Sequence, residues 1–171
     1  IKFRNYRAEF PEAVENICLI ENFSIPFSEL KDRSEFQAIG FSNNSAFHME
    51  RFATEPILFQ KKELLDSFLR SLPTSEKEYS KLVLQFPHLT KLVPEPLQYV
   101  VLEALLIAWD KCKDWFWFEG DKRQKVSCND FNLMVENNRG VCIQIDALSF
   151  EMSRAFVGLL LKRMPNALLL Q

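Results

Sequence analysis

The chain has 171 residues, 47% of them hydrophobic, enough for one domain that buries its own core without covalent staples. Its formal net charge of -2 excludes a protein built mainly to coat nucleic acid, whose affinity comes from a strong positive excess. Four Cys and two His are present, with no C-x-x-C pair, so closely paired zinc ligands are missing.

This Cys usage, in a chain that does not need disulfides, points to an intracellular protein of the cytoplasm or nucleus. The longest near-apolar run, residues 97–109, is interrupted by Gln98 and Glu103 and is too short to span a bilayer, so no membrane partner is expected. A chain beginning at Ile1 is expected to be a domain excised from a longer protein.

Taken in order, Lys2, Arg4 and Arg7 form a short basic arm. Pro11 opens a helix with Val14, Ile17 and Cys18 on one face and Asn22 as its stop. Ser28 caps a second helix over 29–38, closed by Gly40. Residues 41–56 read as a loop with one helical turn near 47–52. Pro56 starts a helix over 57–72 with Leu58, Leu65, Phe68, Leu69 and Leu72 on one side. Ser75 and Glu78 have capping-box spacing ahead of Tyr79, Leu82, Val83 and Phe86, and Pro87 ends that helix. The longest helix is expected over 97–113. It is apolar nearly all round, which predicts burial nearly all round, at the centre of the helical half.

After Lys113 the period changes. Four adjacent aromatics, Trp115, Phe116, Trp117 and Phe118, a Glu119-Gly120-Asp121 turn and residues 122–126 predict a hairpin. Phe131, Leu133 and Val135, then Asn137-Asn138-Arg139-Gly140, then Val141, Ile143 and Ile145 predict a second. Asp146 or Ser149 caps a last helix reaching about Arg163. Leu148, Met152, Ala155, Phe156, Leu159 and Leu160 line one side of it, and 167–170 can return as a strand. The expected class is α+β, mostly helical. A helical half (about 10–114) packs on a unit of β-hairpins, a helix and a last strand (about 115–171), together one compact domain over 1–171.

No catalytic motif can be completed. His48-Met49-Glu50 has the H-x-E form of a zinc deaminase but lacks the P-C-x-x-C that would hold the metal. Four Gly cannot write a phosphate-binding G-x-G-x-x-G or G-x-x-x-x-G-K. Glu103, Asp110 and Asp114 can bind metal or act as acid and base, but equally form the polar edge of a helix. Cys112 and Cys128 lack an adjacent base and read as inert thiols. No cofactor and no metal are expected.

The expectation is therefore a non-catalytic protein–protein interaction domain, a scaffold element or complex subunit. It would bind a partner helix or linear segment, or a second copy of itself. The candidate surface is aromatic and apolar, with Trp115, Trp117, Phe118, Leu65 and Phe68 as its walls, because a small domain has trouble enclosing four adjacent rings. The alternative is a nucleic-acid-associated module. It would use Lys122, Arg123 and Lys125 beside the stacking surfaces of the Trp segment, together with Lys2, Arg4 and Arg7. An enzyme using the carboxylates of the long helix comes third.

Overall fold

A computed structural model of the chain describes residue 9 and residues 17–20, 23–127, 140–143 and 149–163. Helices dominate. They are α1 (Arg33–Ala38), α2 (Asn43–Phe52), α3 (Pro56–Gln60), α4 (Lys62–Arg70), α5 (Glu76–Gln85), α6 (Tyr99–Cys112) and α7 (Phe150–Arg163). Among the described residues, strand pairing joins β1 (Ile17–Ile20) to β4 (Gly140–Ile143) and β2 (Phe23–Ser24) to β3 (Gln124–Lys125). Both ladders are parallel, as is the isolated bridge from Pro26 to Trp117. The expected α+β class with β-hairpins is thus overturned: among the described residues the protein is predominantly helical and no hairpin occurs.

The physical reason lies at the Trp segment. Trp117 N–H donates to the Ile25 carbonyl at 2.8 Å and Phe27 N–H donates to the Trp117 carbonyl at 3.0 Å. Those groups are unavailable to residues 122–126. Gly120 turns the chain at φ 91°, a left-handed conformation that suits a residue without Cβ. The Asp121 carboxylate then captures both the backbone N–H and the guanidinium of Arg123. The chain is sent back beside β2 instead of along 115–118, and Val126 N–H donates to the Ser24 carbonyl at 3.0 Å.

Several elements differ from their expected bounds for local reasons. Ile17–Ile20, expected to end a helix, is a strand, as two Ile in an apolar run favour. Ser28 caps nothing. Residues 27–29 form a 3-10 turn, and α1 begins after Asp32, with Glu35 Oε1 accepting from the N–H groups of Lys31 and Asp32. Gly40 does close it, at φ 116°. Phe41 N–H reaches the Phe36 carbonyl at 3.0 Å and Gly40 N–H the Gln37 carbonyl at 3.1 Å, the Schellman pattern, with the Phe36 and Phe41 rings in edge contact.

Helix α2 is a full helix where a loop was expected. Ser42 caps it, accepting from Ser45 N–H, and Ser45, Ala46, Met49 and Phe52 are buried. The helix expected over 57–72 is two, because Lys61 is extended and the Gln60 carbonyl accepts from Glu119 N–H at 2.9 Å. Ser75 caps α5, while Glu78 turns to the N–H and hydroxyl of Thr74 rather than back to Ser75. Ser149 caps α7, accepting from Met152 N–H at 3.2 Å. Residues 11–16 and 21–22 of the first expected helix, residues 128–139 and 144–145 of the expected hairpins and the last strand over 167–170 lie outside the described residues.

The core is a network of rings. Phe27 is fully buried, with its ring centre 4.9 Å from Phe59, 5.3 Å from Phe116 and Phe118 and 5.6 Å from Trp109. A chain of edge contacts continues from Phe116 to Phe156 of α7, and a second links Phe52, Phe68 and Phe86. Edge and offset contacts of this kind add about 0.5–1.5 kcal/mol each beyond area burial. Phe27→Ala is expected to lower the unfolding free energy by about 3–5 kcal/mol in urea titrations, against less than about 0.5 kcal/mol for Leu84→Ala at the surface of α5.

Candidate functional site

The Trp segment alternates inward and outward, and the domain does enclose part of it. Phe116 and Phe118 point into the core and are buried, whereas Trp115 and Trp117 are half-buried. Leu65 and Phe68 are also fully buried, packed among α4's neighbours. Phe118, Leu65 and Phe68 are therefore core residues and are withdrawn as walls of a binding surface. Their helical or alternating spacing marks an inward face equally well.

Trp115 lines a groove of about 420 Å³ between the end of α1, the C-terminal half of α6 and the start of α7. Ala38, Gly40, Lys111, Phe150, Glu151 and Arg154 are among its other walls. The Trp115 backbone is fixed at both ends: its N–H donates to the Cys112 carbonyl and its carbonyl accepts from the Ser24 hydroxyl. Beside it Phe150 is 81% exposed. Val157 and Leu161 follow Phe150 at helical spacing on the same outer side of α7 and are also exposed. Among the described residues Lys111 and Arg154 make no ion pair, so two free cations flank the aromatic groove.

Helix α6 supplies a second correction. It is not enclosed: Leu105, Ala108, Trp109 and Cys112 face inward, but Tyr99 and Val100 are 69% and 74% exposed and Ile107 is exposed too. A helix apolar all round is buried all round only when neighbours cover every side. Here the packing partners leave one side bare. Sequence reasoning missed Phe150, Val157, Leu161 and the outer face of α6. The legible signal was the apolar residue left over after each inward stripe had been assigned.

The basic cluster is largely spent on the fold. Arg123 donates to Asp121 and to the carbonyls of Asp114 and Phe116, at 2.9 and 2.7 Å, latching the loop to the Trp segment. Lys125 Nζ stands 4.8 Å above the Trp117 ring centre, a cation–π contact. Lys122 is exposed. Lys2, Arg4 and Arg7 lie outside the described residues.

Two of the three candidate carboxylates, Asp110 of α6 and Asp114 just beyond it, are likewise paired. Asp110 takes Arg70 and Lys113, and Asp114 takes Lys62, while Glu103 is exposed and apart. The Lys62 ammonium holds Asp114 below its ordinary carboxylate value. Burial pushes Asp66 up, but hydrogen bonds from Trp109 Nε1, at 2.9 Å, and from Arg70 outweigh it and hold the group low. Cys112 is enclosed, and burial drives its thiol far above the ordinary range, as expected of an inert thiol. No group of His, Cys, Asp and Glu suited to a metal ion occurs among the described residues. Glu50 of the H-x-E triplet accepts from Arg33 N–H at 2.6 Å.

No helix among the described residues is long and apolar enough to cross a membrane. No protein-family model, curated protein or solved structure matches the chain. What the fold and site define is a mostly helical domain with an aromatic core and an open aromatic groove beside Trp115.

Because Asp66, Asp114 and Asp121 are held below their ordinary values, each contributes stability above the unfolded carboxyl pKa of about 4 and loses it as pH falls toward the folded value. The melting temperature is expected to fall a little as pH drops below about 6.5, because half-buried His48, whose pKa is lowered by burial and by the Arg51 charge, takes up its proton less readily folded than unfolded, and to fall steeply below about pH 4. Asp66→Asn, which keeps an acceptor for Trp109 but no charge, should be less stable at pH 7 and show a shallower acid decline. An identical acid profile in the variant would refute the assignment.

Proposed function

We propose that the protein is a non-catalytic interaction domain of an intracellular assembly. It seats an amphipathic helix of another protein in the groove walled by Trp115 and Phe150. The observation that carries this reading is the pairing of a rigid, half-exposed Trp with a Phe left 81% open beside it. Aromatic residues of this kind are the usual anchors of protein interfaces.

A helix suits the site because the groove lies between helices and the apolar side of α7 extends it with Val157 and Leu161. Lys111 and Arg154 at the rim outnumber Glu151 and favour a partner whose polar edge is acidic. Two of the three carboxylates that an enzyme could use, Asp110 and Asp114, are engaged with Arg70, Lys113 and Lys62, and Glu103 stands apart from them, which supports binding over chemistry. Membrane attachment is not part of the proposal.

The test is an affinity capture comparing wild type with Trp115→Ala and Phe150→Ser, after circular dichroism has shown both variants folded. A partner that depends on the groove should be weakened about 30-fold by either substitution, as expected for a hot-spot anchor of about 2 kcal/mol. Retention should change little between about 50 and 200 mM salt, because apolar burial dominates. A homodimer that Phe150→Ser dissolves would replace the foreign helix with a second copy. Binding of a nucleic acid that collapses with salt, or a partner set untouched by both variants, would overturn the proposal.

A further inference from the structure

A second cleft, of about 480 Å³, lies away from Trp115, between the outer face of α2 and the extended strap over residues 93–98. The inward face of α2 is spent on the core, but Asn44, Phe47, His48 and Arg51, at i, i+3, i+4 and i+7, share the other side and line this cleft. Opposite them, the buried side chains of Val93 and Leu97 form an apolar floor, with Val101 of α6 beside it. The strap is held open by Pro94 and Pro96, which fix an extended backbone and cannot continue a helix.

Two formal charges line this cleft, Arg51 on α2 and Glu95 on the strap. The guanidinium carbons of Arg33 and Arg51 lie 4.8 and 5.2 Å from the centre of the Phe47 ring. Neither makes an ion pair among the described residues. A guanidinium stacked on a ring keeps its edge N–H groups free for a planar, bidentate acceptor, and the stack pre-orders it. Burial, with the neighbouring Arg51 charge, lowers the His48 pKa below its ordinary value. The imidazole packs against Phe47 and Phe52. The exposed side-chain amides of Asn44 and Gln98 can each donate and accept.

We infer that this cleft binds a short acidic peptide segment. A carboxylate side chain takes the Arg51 guanidinium, an adjacent apolar side chain lies on Val93 and Leu97, and the amides of Asn44 and Gln98 pair with the peptide backbone. Each part of the lining then has a partner: the cation a carboxylate, the floor an alkyl or aryl group, the amides a peptide unit. Glu95 on the strap repels a second acid at its end of the cleft, so the segment carries its charge near Arg51 and not along its whole length. The residues are separate from the Trp115 groove, so the two readings stand or fall independently.

The probe is a printed array of pentapeptides with a central Glu or Asp between pairs of apolar residues, beside matching arrays with central Gln or Asn and with phosphoserine. Wild type should bind a subset of the acidic spots and bind their amide copies about tenfold or more weakly, the loss expected for a charge-assisted hydrogen bond. Titration of the best soluble hit should move the amide resonances of Phe47, His48, Arg51 and Gln98. Arg51→Gln should erase the difference between acid and amide copies while melting within a few degrees of wild type, and Arg51→Lys should restore only part of it. Equal binding of acid and amide copies, no binding at all, or discrimination surviving in a folded Arg51→Gln variant would overturn the inference. Preference for phosphoserine over Glu would assign the guanidinium to a phosphate and overturn the carboxylate assignment.

Discussion

Phe27 is the constraint on which the rest depends. Its ring sits between Phe59 of α3, Trp109 of α6 and the inward pair Phe116 and Phe118, and its N–H is bonded to the Trp117 carbonyl. One residue thus joins the early chain, the central helices and the segment after α6. Because Phe carries no polar atom, the cluster can be dry without leaving any donor or acceptor unpaired, and no buried unsatisfied side-chain polar atom occurs among the described residues.

The surface follows from that arrangement. Fixing Phe116 and Phe118 inward by the bridge from Pro26 to Trp117 forces Trp115 and Trp117 outward. Trp117 is covered by Lys125, whereas Trp115 opens onto the groove shared with α7. The Arg123 latch fastens the same segment from outside, donating to the carbonyls of Asp114 and Phe116. The two Trp are therefore presented on a rigid frame, which lowers the entropic cost of binding compared with rings on a loose loop. Surface ion pairs such as Arg70 with Asp66 and Asp110 add at most about 1 kcal/mol each, so they trim the surface rather than hold the fold.

Much of the helical half was legible because its punctuation is strong. Gly40, Pro56, Ser75 and Ser149 stand at or beside real helix ends, and the stripe of Leu58, Leu65, Phe68, Leu69 and Leu72 is buried as its spacing implied. Helix α2 was illegible because Asn43-Asn44-Ser45 are weak helix formers, and packing of Ala46, Met49 and Phe52 overrode that propensity. The hairpin over 115–126 failed because alternation reports which way side chains point and says nothing about which strand accepts the backbone hydrogen bonds. The site was half legible for a related reason. A run of rings marks surplus apolar area, but Phe118, Leu65 and Phe68 went inward, and the exposed share came from Phe150, which stands alone in the sequence.

Native-state hydrogen exchange tests the central claim most directly. If the Phe27 cluster and its bridge to Trp117 hold the described fold together, the amides of Phe27 and Trp117 should exchange only through global unfolding. Their opening free energy would then match the value from urea denaturation and fall in parallel with it as urea is added. Exchange of either amide through a smaller, urea-insensitive local opening, while helices α4 and α6 stay protected, would contradict it.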